Sequence, residues 1–292
     1  MAAPSSPVAQ NYGGVWDPSA TNMLGPLAVD RFATFYTNGH SDSFEFHLWE
    51  ISAGEVTQIG FTNGAYVVSA SNVKSAAAGG IIAVQIDYGW FIILAASPWT
   101  VSFVGFDFET WTGNTGNIYI AGDLSEAVAS TLDGTVYGLP VDGVYPGVAN
   151  WSCSLGSGRL VGAPHANRWL RENDAGGVDL VSSGGSVLDS LAWDWTAVPG
   201  NGYDGGRDNT AWVQVSEDVT TYVYSSPVDS GASSPILHYR SIITTGDTID
   251  WDAAEATCAT TWPDQATTRS YPVASAWDGQ IAVSYRQYWW WV

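Results

Sequence analysis

Positive charge is scarce in this chain. Lys74 is the single lysine, eight arginines complete the basic set, and 29 acidic residues bring the net charge to −20. Nucleic-acid recognition depends on cationic contacts to phosphate, so such a surface argues against a nucleic-acid partner. It argues equally against an anionic membrane surface. What the acidity favours is solubility, or a high-salt setting. Cysteine is nearly missing as well. Cys153 and Cys258 have no CxxC partner and no histidine at zinc spacing, which excludes a sequence-local structural zinc site. They are either two free thiols or one long-range disulfide. The four histidines (His40, His47, His165, His238) form neither HExxH nor HxH, and no GxSxG elbow, P-loop or GxGxxG occurs. Long apolar runs are absent: the clearest, residues 90–96, is far too short to span a bilayer, so no membrane insertion is expected. Helical periodicity is absent too, the Ala-rich stretch at 75–80 being short and closed by Gly-Gly. Residues 1–10 lack both a basic and an apolar segment of a signal peptide and are expected to be a flexible or draped tail.

What is present is repetition. Val-Ala-Ser-Thr-Leu-Asp-Gly-Thr-Val at 128–136 returns as Val-Ala-Ser-Ala-Trp-Asp-Gly-Gln-Ile at 273–281, and in degraded form at 74–82. Residues 157–161 resemble its centre, while 31–36 and 217–224 resemble its second half. Asp-Gly supplies the positive-φ turn between two strands, and the alternation after it puts side chains on opposite faces. Each copy therefore reads as a β-hairpin. A second frame lies between the first ones: Ile-Ser-Ala-Gly-Glu-Val at 51–56 matches Ile-Thr-Thr-Gly-Asp-Thr-Ile at 243–249. Val-Ser-Ser-Gly-Gly-Ser-Val at 181–187 and Thr110-Trp-Thr-Gly113 are looser copies.

Two hairpins per unit make a four-stranded antiparallel sheet, and several such sheets arranged radially make a β-propeller. The fold expected is thus all-β, a single propeller of about five to six four-stranded blades spanning residues 11–292. Units anchored on the first frame start near 26, 73, 126, 148, 211 and 272, with the third-to-fourth gap too short for a full blade. The aromatic load of 16 Trp, 14 Tyr and 9 Phe fits blades that pack face to face. Trp49, Trp111, Trp251 and Trp277 are assigned to such packing. The terminal Tyr288-Trp-Trp-Trp-Val292 is apolar on both faces of a strand. It is expected to close the ring with N-terminal segments, against residues 12–16 or 32–36.

Catalytic chemistry is thin. The Asp box of sialidase propellers needs Ser-x-Asp-x-Gly-x-x-Trp, whereas Ser130-Thr-Leu-Asp133-Gly134 and Ser275-Ala-Trp-Asp278-Gly279 put Asp directly before Gly. Asp133 and Asp278 read as turn residues. Carboxylates are plentiful, but no spacing marks a glycosidase pair, and no catalytic residue is assigned. Two irregular insertions carry better binding chemistry, since loops on a rigid scaffold commonly bind. One holds Arg168, Trp169, Arg171 and Glu172. The other holds Tyr203, Asp204, Arg207 and Asp208. A sugar stacks its apolar face on an aromatic ring while polar groups fix its orientation. In the second loop, Asn201, Asp204, Asp208 and Asn209 place four oxygen-bearing side chains on a Gly-rich frame, a candidate calcium site. No other cofactor is implied.

The frame Val-Ala-Ser-x-x-Asp-Gly-x-Ile-Ala-Val-x-Tyr, with Leu48-Trp-Glu-Ile-Ser-Ala-Gly54, resembles repeats of propeller domains in virion proteins, including spike, tail and surface proteins of bacteriophages and archaeal viruses. The resemblance implies a non-enzymatic virion component, extracellular without a cleavable signal peptide. Its partners would be other virion proteins, copies of itself, or a host-surface glycan receptor. Tyr285-Arg286 and the aromatic-rich units are similar to fucose-binding propeller lectins, which makes a carbohydrate-binding lectin the alternative. A glycoside hydrolase is the weakest reading.

Overall fold

The chain turns where Asp-Gly and Gly-containing pairs interrupt its alternating segments, and between those turns it is extended. The structure, a computed structural model, describes residues 22–28, 31–38, 43–52, 55–65, 74–78, 81–86, 90–95, 103–106, 115–131, 133–141, 148–173, 176–192, 210–225, 236–252, 256–259, 272–277 and 280–285. Among them lie six antiparallel sheets. The first runs β1 (Asn22–Ala28), β2 (Arg31–Asn38), β3 (Ser43–Ser52) and β4 (Glu55–Ala65). The second holds β5 (Lys74–Ala78), β6 (Ile81–Ile86), β7 (Trp90–Ala95) and β8 (Phe103–Phe106). The third comprises β9 (Thr115–Ile120), β10 (Glu126–Thr131), β11 (Thr135–Pro140) and β12 (Trp151–Ser154). The fourth comprises β13 (Arg159–Gly162), β14 (Arg168–Asn173), β15 (Gly177–Ser182) and β16 (Val187–Ala192).

In the fifth, β17 (Thr210–Ser216), β18 (Val219–Ser225) and β19 (Ile236–Thr245) are followed by an outer edge in two pieces. There β20 (Thr248–Trp251) pairs with one end of β19 and β21 (Ala256–Ala259) with the other. The sixth, among the described residues, is the hairpin of β22 (Pro272–Trp277) and β23 (Gln280–Tyr285).

In every sheet, strands pair in chain order as an up-and-down meander. The first strands of successive sheets pack side by side: β1 on β5, β5 on β9, β9 on β13, β13 on β17, β17 on β22, and β22 on β1. Sheets that radiate from adjacent first strands are the arrangement of a β-propeller. Central strands of the third and fourth sheets are covered on both faces. All six residues of β10 are buried, as are the first five of β15, whereas the outer strand β16 is largely accessible.

The period-two pattern decides which neighbour each residue meets. Ile118, Ile120, Ala127 and Ala129 of the third sheet pack with Ala83 of the second. Val128 and Val136, on the opposite face, pack with Leu160, Trp169 and Val181 of the fourth. Val161, Leu170, Val178 and Leu180 then meet Trp212, Tyr222, Ile242 and Ile249 of the fifth. The core is thus a series of apolar layers between sheets.

The two repeat frames separate at this level. Three copies of the second frame sit at equivalent places: Ser52–Glu55, Ser182–Ser186 and Thr245–Thr248 each join the third strand of a sheet to the fourth, while the copy at 110–113 lies outside the described residues, between the second and third sheets. Gly185 and Gly246 there have φ of +81° and +59°, the left-handed geometry that glycine tolerates. The first frame joins first to second strands at β5–β6 and β22–β23, but at 128–136 it joins second to third. That copy is one hairpin out of phase. The third and fourth units therefore start at Thr115 and Arg159, not near 126 and 148, and the short gap disappears. At its turn, Gly134 has φ +84°, and Asp133 accepts the Thr135 N–H at 3.1 Å and the Thr131 hydroxyl, as a turn residue does. Trp49 is buried and Trp251 half-buried, both in packing roles. Residues 288–292, expected to close the ring, and residues 12–16 lie outside the described residues, as does Trp111, while residues 32–36 belong to β2.

Candidate functional site

Strand β14 carries the first set of candidate ligand contacts, and the strand geometry separates them. Trp169 is fully buried between the third and fourth sheets, with its indole N–H donating to the Ser182 carbonyl at 3.1 Å. The ring offers no open face on which a sugar could stack. Glu172 is fully buried beside Arg159, which donates to it. Arg171 donates to Asp179 at 2.6 Å and to the Leu155 carbonyl at 2.8 Å. Asp179 also accepts from Asn173 and Ser190 at 2.8 and 2.9 Å. Burial pushes the Asp179 carboxyl up, but the hydrogen bonds from Arg171, Asn173 and Ser190 outweigh it and hold the group below the usual carboxylate range. Arg168 leaves the strand at its other end and donates to Asp247 Oδ1 at 2.8 Å through Nε, with Nη2 at 2.7 Å. These four residues do not converge on one pocket: Arg168, Trp169 and Arg171 reach neighbouring sheets, and Glu172 pairs within its own. The second set (Tyr203, Asp204, Arg207, Asp208) and the calcium candidates Asn201, Asp204, Asp208 and Asn209 lie outside the described residues. Cys153 is a free, half-buried thiol that burial pushes to higher pKa, so it forms no disulfide with Cys258.

A different set of groups does converge. In an up-and-down meander, the first-to-second and third-to-fourth connections share one end of the sheets. In the third and fourth sheets the first-to-second connections are not tight Asp-Gly turns but the longer loops 121–125 and 163–167. They are tied together. The Gly122 N–H donates to the Ala163 carbonyl at 2.9 Å, and the Ala166 N–H to Asp123 Oδ2 at 3.0 Å. The Asn167 N–H donates to Glu126 Oε1 at 2.7 Å, and the Ala163 N–H to Gln214 Oε1 at 3.0 Å. Burial pushes the Glu126 carboxyl above its ordinary range even though the Asn167 amide and the Trp151 indole donate to it. For Asp123, burial is outweighed by hydrogen bonds from Ser125 and the Ala166 amide, which hold its carboxyl low and charged.

The fifth sheet completes this face through its β17–β18 turn. A Cβ on Gly122 would fall on the Ser216 carbonyl oxygen and 2.5 Å from Glu217 Cα, so only glycine permits this approach. His165 sits between the turn's two acids, with Nδ1 3.3 Å from Glu217 and Nε2 3.8 Å from Asp218. Glu217, Asp218 and Asp247 stay about 60% exposed. Among the described residues, the non-glycine positions at positive φ are Leu124 (+62°) and Asn167 (+61°), one in each loop. A left-handed leucine costs roughly 1–2 kcal/mol, and Leu124 is held there with the residue 38% exposed. The result is a cross-linked acidic face that presents an apolar side chain.

The repeat pattern gives no direct sign of this face. Glu217-Asp218 enters it as part of a repeat copy, and His165 lacks any ligand spacing. The available signal is negative: Ala-Gly-Asp-Leu-Ser-Glu and Ala-Pro-His-Ala-Asn-Arg stand where the other units have short turns.

No protein-family model matches the chain, and no curated protein does. Solved structures similar in outline include Hsv2 of Kluyveromyces lactis, at 8% identity over 81% of this chain and 73% of that one, with a TM-score of 0.49. Atg21, solved in complex with the coiled coil of Atg16, gives 8% identity over 80% and 69%, TM-score 0.43. The C-terminal WD40 domain of Sif2 gives 12% identity over 89% and 81%, TM-score 0.42. The architecture rests on the strand pairing above, and these likenesses do not extend it to function. They correct one expectation. The virion or extracellular location drawn from the repeats finds no counterpart in these similar structures and is withdrawn.

Proposed function

We infer that this chain is a non-enzymatic, six-bladed propeller that binds a protein partner through its acidic loop face. Leu124 carries the reading. A leucine kept partly exposed in a strained backbone, inside loops fastened to two other sheets, is an anchor whose strain the surrounding structure sustains. On the same loop face Asp123, Glu217 and Asp218 set a negative rim, which complements a segment rich in Lys and Arg. The net charge of −20 adds long-range attraction for the same partner.

Six sheets with first strands in cyclic contact support six blades, and closure of the ring by residues 288–292 stands as a proposal on their apolar sequence. Calcium at Asn201, Asp204, Asp208 and Asn209 stands as a proposal on loop composition. A rise in melting temperature on adding calcium, lost in Asp208→Asn, is the expected sign.

A peptide array of basic, neutral and acidic segments tests the binding reading. Basic segments with an apolar residue are retained by the wild type and released by Leu124→Ser. Retention independent of peptide charge, or unaffected by Leu124→Ser, contradicts it.

A further inference from the structure

Two carboxylates face the two nitrogens of His165, and a neutral imidazole has one N–H to give. Nδ1 is 3.3 Å from Glu217 Oε1, while Nε2, sealed from solvent and without a hydrogen-bond partner, points toward Asp218 Oδ1 at 3.8 Å. The imidazolium donates from both nitrogens and so serves both acids. We propose that His165 is a proton-operated clasp that fastens the loop of the fourth sheet to the β17–β18 turn of the fifth.

The surroundings favour the charged form's contacts. From the third sheet, Asp123 adds a carboxylate that the His165 charge helps to hold low. From the fifth come Glu217 and Asp218. On the ring's own element, Arg168 is the opposing cation; its guanidinium turns away to Asp247, while its N–H donates to the His165 carbonyl at 3.0 Å. Glu126, at the base of the loop, is occupied by the Asn167 amide and the Trp151 indole. Histidine is the side chain that ordinarily changes charge between about pH 5 and 8; the clasp is closed with the imidazolium and open with the neutral ring. The two joined pieces, loop 163–167 and turn 216–218, also frame the acidic face. Protonation therefore makes that face more rigid and less negative. The clasp does not depend on any partner, and its test needs none.

The experiment is amide hydrogen exchange of the intact chain at pH 5.5 and 7.5, corrected for intrinsic rates, in three proteins: wild type, His165→Gln and Glu217→Gln/Asp218→Asn. Acidification relieves the repulsion of a chain at −20 everywhere, so the difference between proteins is what counts. In the wild type, protection of segments 121–126, 163–168 and 216–219 is expected to rise about fivefold at pH 5.5, the size of one added ion-paired hydrogen bond at a half-exposed site. Both variants lose that rise while the strands of the third to fifth sheets keep their protection. The same pH response in all three proteins, or none in the wild type, overturns the clasp. The double variant keeps the imidazole in place, so a packing defect in His165→Gln is recognised separately.

Discussion

Trp169 and Asp179 illustrate how the same residue types serve packing or binding according to the layer they enter. Trp169 lies in the layer between the third and fourth sheets with its indole N–H satisfied by a carbonyl. Trp169→Ala is expected to cost about 3–5 kcal/mol in chemical denaturation, through loss of the layer. Asp179 is buried, receives three side-chain donors, and its carboxyl is held low. A depressed folded value gives stability that is present above the unfolded pKa of about 3.9 and is lost as pH falls through the folded value. Asp179→Asn should therefore destabilise by about 1–3 kcal/mol at pH 7. Its deficit against the wild type should shrink as the pH is lowered below about 4, which acid-unfolding curves will show. At Leu124, glycine would relieve the left-handed strain. Leu124→Gly is expected to leave stability unchanged or raise it by up to about 1 kcal/mol while weakening partner binding, a separation of stability from function.

Among elements, the loops near the axis matter more than the strands that support them. Gly122→Ala leaves an ordinary φ but drives a methyl into the backbone of residues 216 and 217. Overpacking of this kind costs about 1–3 kcal/mol, and here it should also raise hydrogen exchange in the three segments of the loop face. The hairpins themselves were legible in the sequence. Gly-Gly and Asp-Gly turns with alternation place strands at 74–78, 272–277 and 280–285, and the third-to-fourth turns at 52–55, 182–186 and 245–248 recur in phase. The phase of the first frame was not legible at 128–136. Any Asp-Gly hairpin satisfies the same local rule, and only long-range pairing tells a second-to-third hairpin from a first-to-second one. The loop face was hidden for a related reason. His165, Glu217 and Asp123 come from three sheets, and their meeting depends on the radial packing of first strands, which no local pattern records. Strand β14 misled in the opposite direction: Arg-Trp-Leu-Arg-Glu has the residue types of a sugar site, yet alternation sends Trp169 into one core layer and Leu170 into the next.

For the molecule as a whole, charge sets the behaviour. A compact chain at −20 repels itself, so its midpoint of thermal unfolding should rise between about 20 and 300 mM salt as screening shortens from roughly 20 to 6 Å. Binding of a cationic partner should move the opposite way and weaken with salt. Recognition of a basic protein segment by the acidic loop face is read directly by calorimetric titration with a Lys/Arg-rich peptide chosen on the array. The proteins to compare are the wild type, Glu217→Gln/Asp218→Asn, and the control Glu55→Gln/Asp252→Asn, which removes the same charge from exposed positions elsewhere. The loop-face variant is predicted to bind about tenfold more weakly, a difference of roughly 1.4 kcal/mol, with the control close to wild type. Equal loss in both variants would reduce the effect to net charge, and unchanged affinity in the loop-face variant would contradict the claim outright.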